Sequence, residues 1–216
     1  ETYPFTLRIL ERLFAYKGKR FSDERLRVVL GGVELENPLL VGAGWDKSGR
    51  AVRGLWQLGF AGVEVGSVLA YPESGNPKPR QFVIGPGVAL NNLGFPSPGM
   101  KAVAKNLQRY EANIPVRINI GKNKRIVNKD AYGKIALVVA ELYHYASYFV
   151  INVSCPNTPG LRELQKKKPL TDIVQAVNQT MDLIGTRKPL FVKISPDLIF
   201  QIPLNKIPDT LDNELT

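Results

Sequence analysis

Residues 148–160 read YFVINVSCPNTPG, an apolar run that turns into a polar, proline-containing loop. The first seven residues are rich in β-branched and aromatic side chains, which is typical of a buried strand. The run ends in polar side chains, namely Asn152, Ser154 and Cys155. A buried strand that ends in a polar loop is the basic unit of an α/β sheet, so we expect the same unit elsewhere in the chain.

Four further apolar runs have this form: LLVGAG (39–44), GVEVGSV (62–68), VRINIG (116–121) and LFVKIS (190–195). Apolar residues at helical spacing occur between them, over 50–60, 130–146 and 170–185. Strands that alternate with helices predict βαβ units and a parallel sheet. The proline- and glycine-rich segment 71–100 is predicted as an ordered excursion above the sheet, with room for a short hairpin.

The residues after the strands distinguish a barrel from an open sheet. An open dinucleotide-binding sheet carries G-x-G-x-x-G after its first strand, but here Lys47 stands where the third glycine belongs. Polar residues instead follow all five strands, as in (β/α)₈ barrels, whose active sites lie at the carboxyl ends of the strands. These residues are Lys47, Ser67, Asn119, Asn152, Ser154, Cys155 and Lys193.

The predicted fold is therefore α/β and of the (β/α)₈ TIM barrel family, as an incomplete barrel of about five parallel strands. Residues 1–30 are predicted as an N-terminal helical segment and residues 31–216 as the first part of the barrel. Because no sixth βα unit is evident, we expect a fragment or a gene that ends early.

The charge of the chain favours anionic partners, with 29 Lys and Arg against 19 Asp and Glu. Nucleic acid is an alternative on charge alone, as the partner of a non-catalytic basic domain. However, the basic residues are spread out, and the densest run, KKK at 166–168, has no aromatic residues between its lysines. We therefore expect no nucleic-acid partner. No apolar run approaches the ~18 residues of a membrane span, and no signal peptide opens the chain.

Cys155 is the only cysteine, so an internal disulfide is excluded. It is either an inert core thiol or a reactive one, activated by nearby cations or backbone N–H groups. The only histidine, His144, lies on the preceding helical segment, which disfavours a protease pair.

Four asparagines lie near strand ends: Asn91, Asn119, Asn152 and Asn157. Each carboxamide offers one acceptor and two donors, which suits a planar ring edged with N–H and C=O groups, such as a pyrimidine or an isoalloxazine. Asparagine is common in turns, which explains any one of these residues, but turns explain four of them near strand ends less easily. Lys47 and Lys193 would suit the N1 edge of a flavin, or they are surface lysines. No metal ligands are predicted.

Six motifs then occur in a fixed order: NPLLVGAGWDKSG, GVEVGSVLAYPESGNPKPR, LNNLGFPSPG, INIGKNK, INVSCPNTPGLRELQ and FVKISPDL. With them the chain resembles the dihydroorotate dehydrogenases, flavin enzymes of pyrimidine synthesis, over roughly residues 22–198. The GKNK and NTPGLRELQ features are most similar to the quinone-dependent, membrane-associated class 2. The resemblance implies that dihydroorotate is oxidised to orotate, with FMN as cofactor and a quinone as acceptor.

The resemblance also implies roles for individual residues. The residues that would bind FMN are Ala43, Gly44, Lys47, Gly66, Ser67, Asn119, Asn152 and Lys193. Those that would bind the substrate are Lys47, Asn91, Phe95, Asn152 and Asn157. Cys155 falls on the position of the catalytic base, where it would take a proton from C5 of dihydroorotate as hydride leaves C6 for FMN.

Cys155 also leaves the acceptor open. Quinone-dependent members of the family normally carry serine at this position, whereas the soluble members that use fumarate or NAD carry cysteine. The alternative to a quinone enzyme is therefore a soluble enzyme of class 1 type, which would be cytoplasmic.

The N-terminal segment FTLRILERLFAYKGKR (5–20) mixes apolar and basic residues. A basic amphipathic helix can lie on an anionic membrane, and the resemblance implies a quinone entrance here. Peripheral association with the cytoplasmic face or the inner mitochondrial membrane is then expected; a helix packed beneath the barrel is the alternative. Strands six to eight would complete the FMN site, so the 216-residue chain alone is expected to bind FMN poorly and to turn over little.

Overall fold

A computed structural model describes residues 3–12, 20, 22–110 and 114–196. The chain begins with helix α1 (Tyr3–Arg12). After a 3₁₀ turn (Glu24–Leu26), β1 (Val28–Leu30) and β2 (Val33–Leu35) form an antiparallel hairpin. This hairpin was not predicted, although Gly31 and Gly32 between VVL and VEL are a hairpin signal, and it crosses the predicted division of the chain at residue 30. The division itself stays a prediction.

Five parallel strands form the main sheet, in the order β3, β4, β7, β8, β9. They are β3 (Leu40–Val41), β4 (Gly62–Val68), β7 (Val116–Ile120), β8 (Tyr148–Asn152) and β9 (Leu190–Lys193). Each lies where the sequence predicts a strand, although β3 is much shorter than expected. Each strand of this sheet pairs with the next strand of the same sheet along the chain, as in a (β/α)₈ barrel, whereas the strand order of an open doubly wound sheet reverses. The prediction of an incomplete barrel with five parallel strands is confirmed.

Helices connect these strands. The three predicted helices are present as α2 (Val52–Gln57), α4 (Ala131–Leu142) and α5 (Lys167–Ile184). A helix that was not predicted, α3 (Met100–Leu107), stands before β7. It buries Met100, Val103, Ala104 and Leu107, which is the helical spacing of an amphipathic element.

The excursion after β4 contains a second antiparallel hairpin, of β5 (Gln81–Gly85) and β6 (Val88–Asn91). The sequence allowed for a hairpin here, and the structure has one. Its turn passes through Gly87 at φ 72°, which glycine adopts without a steric penalty. The hairpin places Asn91 at the end of β6.

The two faces of the sheet differ in character. Val63, Val65, Ile118 and Ile120 are completely or almost completely buried in the core that the helices cover. Because side chains alternate along a strand, the intervening positions face the other side, which is the interior of a barrel. These positions include Glu64, Gly66, Arg117, Asn119, Tyr148 and Asn152. The interior face is therefore polar towards the carboxyl ends of the strands.

Helix α1 packs on α2. Leu10 is buried, and a Cβ at Gly54 would lie 2.2 Å from the backbone oxygen of Leu10, so the two helices touch through backbone atoms. Arg50 binds Glu11 through two hydrogen bonds of 2.5 and 2.6 Å. In the described part of 5–20 the helix therefore packs on the rest of the chain, the second of the two arrangements expected for this segment. Residues 13–19 lie outside the described residues. No helix in the described ranges is long and apolar enough to span a membrane.

Candidate active site

Three polar side chains from neighbouring strands form a hydrogen-bonded chain that we name the strand-end cluster: Ser67, Asn119 and Asn152. Ser67 Oγ donates to Asn119 Oδ1 at 2.5 Å, and Asn152 Nδ2 donates to Ser67 Oγ at 3.3 Å. All three residues are buried. Asn152 Oδ1 in turn accepts from the backbone N–H and Oγ of Ser154, at 3.2 and 3.0 Å. The cluster thus joins the ends of β4, β7 and β8.

Lys47 lies beside the end of β3 on a turn that Asp46 holds. The buried carboxylate of Asp46 accepts from the backbone N–H groups of residues 48–51, at 2.7 to 3.2 Å, and so fixes the turn before α2. Lys47 Nζ donates to Gly44 O at 2.6 Å. Burial lowers the pKa of Lys47, and Arg80 adds to this effect while Asp46 opposes it. A half-buried cation therefore stands at the edge of the sheet.

The backbone at the end of β3 is open to a ligand. A Cβ at Gly42 would meet nothing within 4 Å, and at Gly44, where φ is 109°, it would meet only Lys47 Nζ, at 3.9 Å. The neighbouring Ala43 is half-buried. By contrast, Gly66 on β4 is packed tightly, because a Cβ there would lie 2.4 Å from Asn119 O. Gly66 therefore allows the close approach of β7, while Gly42 and Gly44 leave open space beside the backbone, although the N–H of Gly44 is bonded to Gly66 O at 2.8 Å.

A second pair of amides lies on the loops. Asn157 Nδ2 lies 3.3 Å from both the backbone oxygen and Oδ1 of Asn91. Cys155 is on the same loop as Asn157; it is half-buried, has a free thiol and packs against the core. Phe95, half-buried at φ 53°, lies against Gly121. The structure therefore brings together two of the predicted substrate residues, Asn91 at the end of β6 and Asn157 on the loop that carries the thiol.

Lys193 is placed differently from the other predicted residues. It pairs in register with Asn152, at the end of β9, and is exposed. The register places its backbone level with the strand-end cluster. His144, by contrast, is exposed on a 3₁₀ turn after α4.

Two charged residues inside the strands, Glu64 and Arg117, were not singled out from the sequence. Glu64 Oε1 accepts from Asn119 Nδ2 at 2.7 Å. Arg117 is completely buried beside the ring of Tyr148, with its guanidinium carbon 5.0 Å from the ring centroid. Each is a charged residue within an otherwise apolar strand, which the sequence shows. Its role, however, depends on which residue of the neighbouring strand it faces.

The donors and acceptors of the site suit a flavin. A flavin ring edge alternates N–H and C=O groups, which match carboxamides and a serine hydroxyl. The space beside Gly42 and Gly44 leaves room for a ligand, and Lys47 supplies a positive charge. The donors, acceptors and charge of these residues therefore fit the ring of FMN.

Known proteins of one family resemble this chain over most of its length. Residues 25–216 match the family model described as "Dihydroorotate dehydrogenase". A protein of Synechococcus sp. (strain JA-2-3B'a(2-13)) named dihydroorotate dehydrogenase (quinone) is 44% identical over 195 residues, which cover 89% of this chain and 49% of that protein. One of the same name from Thermobifida fusca is 39% identical over 201 residues, covering 90% of this chain and 52% of that protein.

A solved structure of DHODH from Eimeria tenella in complex with ferulenol superposes with a TM-score of 0.81 at 32% identity. The match covers 91% of this chain and 59% of that one. The chain thus spans about half the length of the curated relatives it matches. On these matches, the chain belongs to the dihydroorotate dehydrogenase family.

Proposed function

We propose that this chain provides the FMN and substrate site of an enzyme that oxidises (S)-dihydroorotate to orotate in the synthesis of UMP. The observation that carries the proposal is the strand-end cluster, in which Ser67, Asn119 and Asn152 converge from three neighbouring strands. Buried amides joined in this way present fixed donors and acceptors to a planar ligand. Membership of the family supports FMN as that ligand.

FMN, when bound, supplies the hydride acceptor of the reaction. We propose that Ala43, Gly44 and Gly66 lie along the ring, that Ser67, Asn119 and Asn152 hydrogen-bond it, and that Lys47 and Lys193 bind it as cations. Lys47 suits this role because its ammonium is already partly desolvated and therefore interacts strongly with an anion. The same ammonium can reach the carboxylate of the substrate.

Orotate and dihydroorotate carry one carboxylate and a ring edged with amide groups. Asn91, Asn152, Asn157 and Phe95 are the proposed substrate residues besides Lys47. The contact between Asn91 and Asn157 supports this assignment, since it holds two amides side by side at the rim of the site. Amides are neutral and match the ring, while the cation matches the carboxylate.

Cys155 is the proposed base that takes the proton from C5 of dihydroorotate. It stands on the loop between Asn152 and Asn157, two of the proposed substrate residues, and is half-buried. A thiol gives up its proton more readily than a hydroxyl, so cysteine needs less assistance than serine to act as a base.

A quinone is the proposed acceptor, because the curated relatives at about 40% identity bear that designation in their names. The proposal includes peripheral membrane association through residues 5–20. Cys155 favours a second candidate, a soluble enzyme of class 1 type that uses fumarate or NAD.

The test of the site is binding, measured on the protein isolated from its source organism and on the 216-residue chain. We expect the former to bind FMN and orotate, and Asn119→Ala to weaken FMN binding about tenfold or more, the effect of removing a buried hydrogen-bonding group. We expect the 216-residue chain alone to bind FMN weakly. Absence of FMN from the isolated protein would contradict the proposal, and tight stoichiometric FMN on the 216-residue chain would contradict its second part.

A further inference from the structure

Glu64 is the one charged group that hydrogen-bonds the strand-end cluster within the described residues. Its Oε1 accepts from Asn119 Nδ2 at 2.7 Å. An ionised carboxylate can only accept hydrogen bonds, whereas a carboxamide presents a donor at one end and an acceptor at the other. The carboxylate therefore fixes which end of the Asn119 amide faces it.

This choice sets the direction of every later bond in the chain. With Nδ2 held by Glu64, Asn119 Oδ1 faces Ser67, so the hydroxyl must donate, and it does so at 2.5 Å. The oxygen of Ser67 is then left to accept from Asn152 Nδ2, at 3.3 Å. Asn152 Oδ1 is left to accept from Ser154. One carboxylate thus determines the orientation of two amides and a hydroxyl.

Arg117 supplies the opposite charge. It pairs in register with Glu64 across β4 and β7, on the same interior face, and is completely buried. Gly62 leaves the room it occupies, because a Cβ there would lie 2.2 Å from a guanidinium nitrogen. None of the three guanidinium nitrogens has a hydrogen-bond partner in the described part of the chain. A buried cation without such partners is stabilised chiefly by a neighbouring anion.

We propose that Glu64 is a positioning residue that orients the amides of the strand-end cluster, and that Arg117 balances its charge inside the barrel. The consequence for the flavin rests on the proposed function: amides held in one orientation offer the ring a fixed set of donors and acceptors. The orientation of the amides by Glu64 is independent of the proposed function.

The amides can be observed without flavin, through the side-chain ¹⁵N–¹H signals of Asn119 and Asn152, assigned with Asn→Asp variants. Glu64→Gln keeps the size of the side chain but can donate as well as accept, so it removes the imposed direction. We expect it to shift or split the signals of both residues. Glu34→Gln, the same change at an exposed position on β2, should leave them unchanged. Unchanged Asn119 and Asn152 signals in Glu64→Gln would overturn the proposal.

Ser67→Ala tests the order of the chain. It removes the hydroxyl that both amides contact, so the signals of Asn119 and Asn152 should both shift. Asn119 should nevertheless keep a single set of Nδ2 signals, because Glu64 still holds that end of its amide. A second set of Asn119 signals in Ser67→Ala would mean that Glu64 does not orient the amide, and the proposal would fail. If Glu64→Gln does not fold, as judged by circular dichroism, Glu64→Asp replaces it. Its shorter carboxylate withdraws the acceptor, so an unchanged Asn119 signal would overturn the proposal equally.

The flavin readout is the reduction potential of the FMN-loaded protein. Removal of the negative charge in Glu64→Gln should shift the potential to more positive values, since the reduced flavin carries more negative charge. Arg117→Met should shift it in the opposite direction, and the double variant should return close to wild type. Shifts of the same sign would contradict the charge balance. If the wild-type protein binds no FMN, the proposed function fails, while the NMR result still decides the role of Glu64.

Discussion

Asn157, on the loop after β8, donates from Nδ2 to both the backbone oxygen and Oδ1 of Asn91, at the end of β6. This contact joins the second hairpin to the loop that carries Cys155. Both residues are also proposed to bind the substrate. Loss of their contact should therefore lower the affinity for the substrate.

Asn157→Ala should therefore weaken orotate binding by about tenfold, as expected for the loss of polar contacts worth about 1–2 kcal/mol. Titration of the FMN-loaded protein with orotate, followed by flavin absorbance, measures the effect. Asn178→Ala, on α5, is the matched control and should bind orotate as wild type does. Equal orotate affinities in the two variants would remove Asn157 from the site.

Cys155→Ala should bind FMN and orotate but lose the base. We expect the rate of flavin reduction by dihydroorotate to fall by roughly 10² to 10⁴, the usual contribution of a general base. Cys155→Ser should retain part of the rate, because a hydroxyl can still accept the proton with assistance. Stopped-flow absorbance measures both variants; reduction of Cys155→Ala at the wild-type rate would show that the thiol is not the base.

The pH dependence of stability tests the burial of Lys47. Burial lowers its pKa from the ordinary 10.5, so between the lowered value and 10.5 the unfolded chain binds more protons than the native one. The cost of burying the ammonium is thus present at neutral pH and disappears as the pH rises towards 10.5.

Lys47→Met removes this cost, so its stability relative to wild type should decline as the pH rises from 7 towards 10.5. Urea unfolding of the flavin-free proteins measures the difference. Lys193→Met, at an exposed lysine, is the matched control for the loss of a lysine side chain. A constant difference for Lys47→Met would mean that its ammonium is not desolvated in the native state.

Alanine substitutions at two helical glycines should change the free energy of unfolding in opposite directions, and the one at Gly54 tests the packing of α1. Gly54→Ala places a Cβ 2.2 Å from the backbone oxygen of Leu10, so α1 must move, and we expect a loss of about 1–3 kcal/mol in the free energy of unfolding. Gly133→Ala, on α4, meets nothing within 4 Å and should gain about 0.5–1 kcal/mol.

Chemical denaturation measures both glycine variants, and limited proteolysis reports whether α1 is released. Wild-type stability of Gly54→Ala would mean that α1 does not pack on α2 in solution.

The sequence predicted the parallel strands and the polar residues after them because both leave local signals, namely short β-branched runs and side chains at their ends. It missed the hairpin of β1 and β2 although Gly31 and Gly32 between two β-branched runs are a hairpin signal, because each run is only three residues long. It missed α3 because that helix directly follows a segment dense in proline and glycine, although its apolar spacing is regular.

The contacts within the site were less predictable than the residues that form it. Nothing in the local sequence states that Asn91 meets Asn157, since the pair is 66 residues apart. Glu64 and Arg117 become interpretable only when the register of β4 and β7 sets them side by side. Such information lies in the tertiary structure, and no local pattern carries it.

The most direct test of the account is dihydroorotate oxidation by the FMN-containing protein isolated from its source, with ubiquinone, fumarate and NAD supplied separately. The account predicts oxidation supported by ubiquinone. Activity with fumarate or NAD alone would transfer the protein to the soluble class and contradict the proposed acceptor. Failure to oxidise dihydroorotate with any of the three acceptors, while FMN is bound, would contradict the central claim.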